Sequence, residues 1–408
     1  MITKVFARNY RSIGEVELPL AELTTLVGPN ASGKSNIVDA VRFLADCLRA
    51  PLSFAMTMHQ RQGFGSLLHQ GDTASLGLTV GAEVCTDGGL GIWAFTLQPA
   101  GGDGGFEVKS ERAAWVQGGA PGTWAGQELE RLLRLEEVPD LQEALRSQHG
   151  SGFVRFGGLH VSKVGDILER LSPPTHTALA LPQVSDEALR PLADELNRVA
   201  MYSLFPNELR PPRAPNPEKP MMANGENWAW TLSSLDKERW GGELLCSLSR
   251  IAGDVDDYRV VRAGGYLLPE FRHGVDASGD GRWRGAAQES DGTLRVAAIL
   301  TALFQEPPLS LIGVEEPELA VHPGALPVLF DFLREASRRS QILLTTHSPD
   351  LLDLLPVDSL RVVERRGGAT TVSRVDERQR ELVRKRLMST SDLLHAEGLH
   401  PEGIADDG

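Results

Sequence analysis

Gly28-Pro29-Asn30-Ala31-Ser32-Gly33-Lys34-Ser35 is a complete GxxxxGK[ST] phosphate-binding loop. Leu23–Val27 before it is a short β-type run, and Ile37, Ala40, Val41, Leu44 and Leu48 after it fall on one helical face. Strand, glycine-rich loop and helix are therefore predicted in that order. Gly28 and Gly33 free the backbone to wrap a phosphate with several N–H groups turned inward, a turn that bulkier residues would obstruct. Lys34 brings a positive charge to the β- and γ-phosphates, and the Ser35 hydroxyl can ligate Mg²⁺. The helix N-terminus adds its free N–H groups and the positive end of its dipole. Asn30, Ser32 and Asn36 belong to the same turn and are counted with these as candidate nucleotide contacts. The stretch implies a bound nucleoside triphosphate.

Composition narrows the context. A chain of 408 residues with 41% hydrophobic content can form one large or two ordinary domains with a proper core. Its apolar runs are far shorter than a membrane span, and Met1-Ile2-Thr3-Lys4-Val5 reads as a strand, not a signal sequence. Cys47, Cys85 and Cys246 are widely spaced and odd in number, as expected of buried thiols in a reducing cytoplasm. A formal charge of −14 argues against a protein coated with a nucleic-acid-binding surface and leaves room for a local basic patch.

Along the chain, Ile2–Ala7, Ile13–Leu18 and Leu23–Val27 alternate as strands. The polar turn Asn9-Tyr10-Arg11-Ser12 between the first two brings Arg11 within reach of the phosphates if these strands flank the loop. Leu76–Cys85, Gly91–Gln98 and Phe106–Val116 read as an antiparallel sheet, punctuated by Asp87-Gly88-Gly89 and by Gly101-Gly102-Asp103-Gly104-Gly105. From Gly126 to Arg250 the pattern is mostly helical, with a proline-rich extended segment over Pro211–Pro217. No sustained heptads occur, so no long coiled-coil arm is expected. Beyond Asp276 the chain returns to α/β character: an all-round apolar helix over Thr293–Phe304, a buried strand Leu309–Val314, a helix Leu326–Ala336 and a second buried strand Ile342–Thr346. The two ends thus read as halves of one α/β domain with the middle inserted.

Glu315 and Glu316 follow the first of those buried strands, where an open α/β sheet meets its ligands. One carboxylate there can hold Mg²⁺ and the other can polarise an attacking water. Ser290-Asp291-Gly292-Thr293 opens the apolar helix, as an N-cap or as an anion-reading turn. His347 sits at the end of the second strand, placed to donate to a γ-phosphate.

Together these parts resemble the ABC-type ATPase heads of the RecF/SMC/OLD-like group. The GPNASGKS loop, SDGTLR (Ser290–Arg295), GVEEPELAVHP (Gly313–Pro323) and TTHSP (Thr345–Pro349) occur in that group's order. Asn9–Ser12 is similar to its N-terminal strand-turn, and Leu181-Pro182-Gln183 and Asn224–Asn227 are similar to middle segments of stand-alone RecF-like bacterial ATPases. The resemblance covers 1–50 and 285–350. It implies an α/β P-loop NTPase of ABC-head type with an antiparallel β subdomain, an inserted helical lobe and no coiled-coil arm. The expected divisions are 1–118 and 285–408 for the two parts of the ATPase lobe and 119–284 for a mainly helical insertion.

By that resemblance Lys34 binds the phosphates, Ser35 and Glu315 hold Mg²⁺, and Glu316 is the general base. Ser290 and Gly292 form the signature that reaches the γ-phosphate of a second subunit, and His347 is the switch histidine. Gln183 is the Q-loop glutamine, a catalytic and metal contact, with Gln70 as the alternative. Glu318 to Ala320 lie in the D-loop, at the dimer contact. Glu315 stands where Asp is commoner, and SDGT replaces SGGQ, which points away from membrane transporters. No NKxD motif is present, so ATP is preferred to GTP.

The implied activity is ATP hydrolysis coupled to ATP-driven homodimerisation. Two tasks fit it. One is DNA repair or maintenance on double-stranded DNA, favoured by nine Arg/Lys against four Asp/Glu between Arg361 and Arg386. The other is gating of a separately encoded nuclease or effector, as in phage defence, favoured because only residues 348–408 follow His347.

Overall fold

The structure is a computed structural model that describes residues 1–69, 77–101, 105–121, 127, 150–156, 160–164, 177–183, 187, 189–235, 237–253, 255–274 and 281–403. Gln70 lies outside the described residues, as does the predicted helical run around Leu129–Leu135. The strands are β1 (Ile2–Tyr10), β2 (Ile13–Pro19), β3 (Leu23–Val27), β4 (Leu78–Thr86), β5 (Gly89–Pro99), β6 (Phe106–Gln117), β7 (Gly150–Phe156), β8 (His160–Val164), β9 (Val199–Tyr202), β10 (Val255–Ala263), β11 (Tyr266–His273), β12 (Arg282–Gly285), β13 (Leu311–Glu315), β14 (Gln341–Thr346), β15 (Leu360–Arg366) and β16 (Ala369–Arg374). The chain divides into two compact units. One comprises Met1–Leu20, Pro29–Val199 and Val363–Val372; the other comprises Ala21–Gly28, Ala200–Val362 and Ser373–Gly408. The cut at Gly28/Pro29 falls inside the phosphate loop, so β3 belongs to the second unit and the helix after the loop to the first.

In the first unit the strand order is β8-β7-β6-β5-β4-β1-β2-β16. The pairs from β8 to β2 are antiparallel, and β16 joins β2 in parallel with Thr370 opposite Ile13. The three strands read from the sequence as an antiparallel sheet are β4, β5 and β6. Helix α1 (Lys34–Arg49) buries Ile37, Val38, Ala40, Val41, Phe43, Leu44, Ala45 and Cys47. Phe43 continues an aromatic chain, with ring centroids 5.8 Å from Tyr10 and 6.2 Å from Phe95, and Phe95 is 5.0 Å from Trp93. Such tilted and edge-on pairs add to the area that the rings bury.

The same helix carries two buried carboxylates, Asp39 and Asp46, and the wholly buried Arg61 answers both. Arg61 Nε and Nη2 donate to Asp39 at 3.0 and 2.8 Å, and Nη1 donates to Asp46 at 2.6 Å. The Tyr10 hydroxyl donates to the other Asp39 oxygen at 2.7 Å. A planar fork suits this double duty, which a lysine could not perform.

In the second unit the order is β15-β3-β14-β13-β9, with β15–β3, β3–β14 and β14–β13 parallel. All five residues of β3 and all six of β14 are buried, which is how strands covered on both faces read. Every residue from Thr293 to Phe304 of the helix α3 (Asp291–Phe304) is buried; α2 (Gly242–Ala252) precedes it. The Trp228 indole donates to Thr301 Oγ1 at 3.0 Å, and Leu232, Leu244, Leu248, Tyr258 and Phe271 share one apolar cluster with α3. Residues 200–284, expected in an insertion, therefore pack in the same unit as the Glu315 strand, because their apolar side chains bury against α3.

The stretch read as mainly helical also supplies strands. Gly264 and Gly265, both at positive φ, turn β10 into β11, a hairpin signal for which two left-handed residues are needed. The longest helix among the described residues is α1, with 16 residues. No described helix is long and apolar enough to cross a membrane.

Burial pushes the Asp46 carboxyl up, but the His59 hydrogen bond and the charges of Arg61 and His59 outweigh it and hold it below the usual carboxylate range. A depressed carboxyl contributes stability above its unfolded value and loses it as the pH falls through the folded one. The stability of this unit is therefore expected to drop below about pH 4. Arg61→Met, which strands two buried carboxylates, is expected to cost about 3–5 kcal/mol in denaturant unfolding at neutral pH. An unchanged midpoint would show that the pair does not hold α1 in place.

Candidate nucleotide site

The phosphate loop leaves β3 at Gly28. Ala31 and Gly33 adopt positive φ (61° and 106°), so successive N–H groups can converge on one side of the turn. Gly33 caps α1 without any side-chain cap, and its carbonyl accepts from Asn36 N and Ile37 N, both at 3.0 Å. The first turn of α1 holds no acidic residue, which keeps its N–H groups and dipole for an anion. Lys34 is buried and its ammonium donates to the Pro29 carbonyl at 2.9 Å, folding the cation back over the loop. Ser32 Oγ is buried without a hydrogen-bond partner among the described residues, and Asn30 and Ser35 are exposed. An unanswered hydroxyl, a folded-back ammonium and an uncapped helix start fit a polyphosphate.

Arg11, at φ 50°, does not stand free over this loop: its Nε lies 3.1 Å from Asp39 Oδ2. Asn36 Nδ2 donates to Ser12 Oγ at 2.6 Å. Gln183 ends a short 3₁₀ turn, Leu181–Gln183. That turn is held by buried Glu111, which accepts from Ala180 N and Leu181 N at 2.6 and 2.9 Å and from the Trp93 indole at 3.0 Å.

In the second unit, strand register sets the site. Val27 pairs with Thr346, and Thr345 with Glu315, so Gly28, Glu315, Glu316 and His347 all leave from the carboxyl ends of adjacent parallel strands. Glu316 has φ 47°, a strained conformation for a residue with a side chain, and its N–H donates to Thr345 O at 2.9 Å. Arg295 on α3 supports the same turn: Nη2 donates to the carbonyls of Glu315 and Glu316 at 2.8 Å each, and Nη1 to that of Leu204. Burial pulls its guanidinium down from the usual value, while the charges of Glu318, Glu316 and Glu315 oppose the fall.

His347 Nε2 lies 3.7 Å from Glu316 Oε1, with both side chains about one-third exposed (32% and 35%). Glu318 Oε1 accepts from Thr346 Oγ1 at 2.6 Å and from His347 N at 3.3 Å, fixing the backbone from which the histidine projects. Among the described residues no group of three or more His, Cys, Asp or Glu could hold a metal alone. A hydroxyl, a carboxylate and phosphate oxygens suit Mg²⁺, which binds through few protein ligands.

Ser290 is the N-cap of α3: its hydroxyl accepts from Thr293 N at 3.1 Å and bonds Thr293 Oγ1 at 2.8 Å. A Cβ on Gly292 would fall 2.5 Å from the Ala320 carbonyl, so only glycine lets Leu319-Ala320 pass so close. Arg210 holds this turn from the other side, donating to the carbonyls of Glu289 (2.9 Å) and Ala287 (3.2 Å) and to Asp291. Buried His273 bonds Glu289 at 2.7 Å.

Sequence reading passed over Arg295, Arg210 and the carboxylate role of Glu318. One signal for Arg295 was present, since a lone charge inside an all-apolar helix must find partners. The basic stretch from Arg361 to Arg386 is largely answered within itself and its surroundings. Arg384 pairs with Asp358 and, at 3.0 Å, with Glu377; Lys385 lies 2.7 Å from Glu381; and Arg380 pairs with Glu377 and Glu402.

The family described as "AAA ATPase domain" matches residues 1–60, and that described as "AAA domain, putative AbiEii toxin, Type IV TA system" matches residues 230–353. An OLD nuclease of Thermus scotoductus is 24% identical over 391 residues, which cover 92% of this chain; the chain spans 65% of that relative's length. Among solved structures, the Smc head bound to the C-winged helix domain of ScpA is 14% identical, covers 93% of this chain and 99% of its own, and superposes with a TM-score of 0.51. The SMC head domain of Thermotoga maritima is 13% identical over 92% and 99% of the two chains, with a TM-score of 0.42. The likeness to the ScpA-bound head concerns the fold. AAA-type ATPase domains are thus matched over residues 1–60 and 230–353, the OLD nuclease is a distant relative over most of the chain, and the fold is a mixed α/β fold like that of an SMC head.

Proposed function

We propose that this chain is an ATP-driven dimerisation switch that gates a separately encoded nuclease in defence against phage. The observation that carries the switch is the His347–Glu316 approach of 3.7 Å on a turn pinned by Arg295 and Thr345, a base oriented before substrate arrives. In this reading Lys34 and the loop N–H groups hold the phosphates of ATP. Ser35 and Glu315 hold Mg²⁺, whose charge offsets that of the β- and γ-phosphates. Glu316 takes a proton from the attacking water and His347 steadies the γ-phosphate. Ser290 and Gly292 of a second copy complete each site, so ATP favours the closed dimer through its higher affinity for that state. Gln183 is assigned to sense the metal and nucleotide from the 3₁₀ turn.

The gating of a nuclease is supported by the match to the OLD nuclease over most of this chain, and the defence role by the toxin–antitoxin description of the family matched at 230–353. The DNA-maintenance alternative drew on the basic stretch. Three of its nine basic residues, Arg380, Arg384 and Lys385, are engaged in ion pairs with carboxylates of this chain, which a phosphate backbone would have to displace.

Glu316→Gln keeps the shape and removes the base. It is expected to slow hydrolysis by about 10²–10⁴-fold and to accumulate an ATP-bound dimer, doubling the 44.3 kDa monomer mass in light scattering. A monomer in saturating ATP would overturn the switch. ATP turnover measured with and without double-stranded DNA, beside Lys34→Ala, separates the two tasks. A low rate unchanged by DNA is expected. Stimulation by DNA that vanishes in Lys34→Ala would replace the nuclease gate with a DNA-activated clamp.

A further inference from the structure

Behind the phosphate loop runs a chain of hydrogen bonds in which every proton has a single possible direction. Thr370 Oγ1 lies 2.9 Å from the Ser32 carbonyl oxygen, which only accepts, so the one hydroxyl proton of Thr370 goes there. Asn36 Nδ2 lies 2.6 Å from Ser12 Oγ, and an amide nitrogen only donates, so Ser12 accepts from it. The 2.7 Å contact between the Ser12 and Thr370 hydroxyls is then made by the Ser12 proton. Turning the Asn36 amide over would consume that proton and leave two oxygens facing each other, so the chain itself sets the amide orientation. Asn36 donates to Ser12, Ser12 to Thr370, and Thr370 to the loop.

Thr370 is wholly buried, and its own N–H donates to the Ser12 carbonyl at 2.7 Å. A Cβ on Gly33 would meet Thr370 Oγ1 at 2.0 Å and Ser12 Oγ at 2.9 Å. The threonine thus occupies the space that the missing side chain of Gly33 leaves. In a trans peptide the carbonyl of one residue and the N–H of the next point in opposite directions. Tethering the Ser32 carbonyl to Thr370 on the outer side of the loop therefore turns the Gly33 N–H to the inner side.

We propose that Thr370, through Ser12 and Asn36, is a positioning residue for nucleotide binding. It fixes the Ser32–Gly33 peptide plane so that the loop presents its N–H groups to a phosphate before ATP arrives, sparing the cost of ordering them on binding. Thr370 reaches the nucleotide only through the backbone. The proposal rests on the nucleotide-binding half of the function proposed above.

The test is calorimetric ATP affinity and steady-state KM and kcat of the full chain and its variants, with folding checked by circular dichroism. Thr370→Val is isosteric and removes both hydrogen bonds; it is expected to weaken ATP binding about tenfold, with KM rising more than kcat falls. Thr370→Ser restores the hydroxyl and is expected to bind within about twofold of the natural chain. Ser12→Ala breaks the chain one link earlier and should fall between the two.

A folded Thr370→Val with unchanged affinity overturns the proposal. So does a Thr370→Ser as weak as Thr370→Val, which would show that the threonine acts through its methyl group. If Thr370→Val does not fold, Ser12→Ala decides, and unchanged affinity there overturns the proposal. Lys34→Ala separates this from the parent reading. If the natural chain does not bind ATP, or Lys34→Ala binds equally well, the nucleotide switch fails and the positioning role with it. Binding lost in Lys34→Ala but retained in Thr370→Val overturns the positioning role alone.

Discussion

A guanidinium sunk in an apolar helix must be answered by acceptors, and at Arg295 those acceptors are the main-chain oxygens of Glu315, Glu316 and Leu204. The consequence is positional. The helix that begins with Ser290 and the strand that ends in Glu315 are held together where each presents its candidate functional residues. A left-handed Glu316 costs on the order of 1–3 kcal/mol, and it persists because Arg295 and Thr345 bind the turn from two sides. The charge of Arg295 beneath Glu315, Glu316 and Glu318 also makes a cluster of three carboxylates tolerable.

The other unit solves an analogous problem with different chemistry. Its phosphate-loop helix carries Asp39 and Asp46 on a face that also buries Phe43 and Leu44, an arrangement that would be untenable without Arg61. Tyr10 at the end of β1 and Arg11 in the turn after it converge on the same Asp39. That turn thus contributes to α1 at its buried face through Asp39 and to the phosphate loop through Ser12. In both units a strained or glycine-rich turn is held by polar groups reaching in from elements distant in the chain.

Much of the architecture was legible as pattern. The phosphate loop, the sheet of β4 to β6, the all-round apolar α3 and the buried β13 and β14 announce themselves through local periodicity and turn residues, which short-range sterics enforce. The segment from 119 to 284 was harder. Its strands β10 and β11 are half-buried and polar on one face, and the glycine pair between them was the one strong signal. The affiliation of residues 200–284 with α3 was not readable, because which apolar faces meet is decided by the whole set of faces needing cover.

The candidate site divides along the same line. Gly28, Lys34, Ser35, Glu315, Glu316 and His347 could be named from sequence because their chemistry depends on residue type at fixed local spacing. Arg11 reads as within reach of the phosphates if its strands flank the loop; that its Nε lies 3.1 Å from Asp39 Oδ2 only the tertiary structure shows. Arg295, Arg210, Glu318 and Thr370 act through backbone carbonyls, N–H groups and hydroxyls, which every residue or many residues offer. Such partners leave no pattern in a sequence, so the sequence alone named the candidate binding groups, and only the tertiary structure decided which residues hold those groups in place.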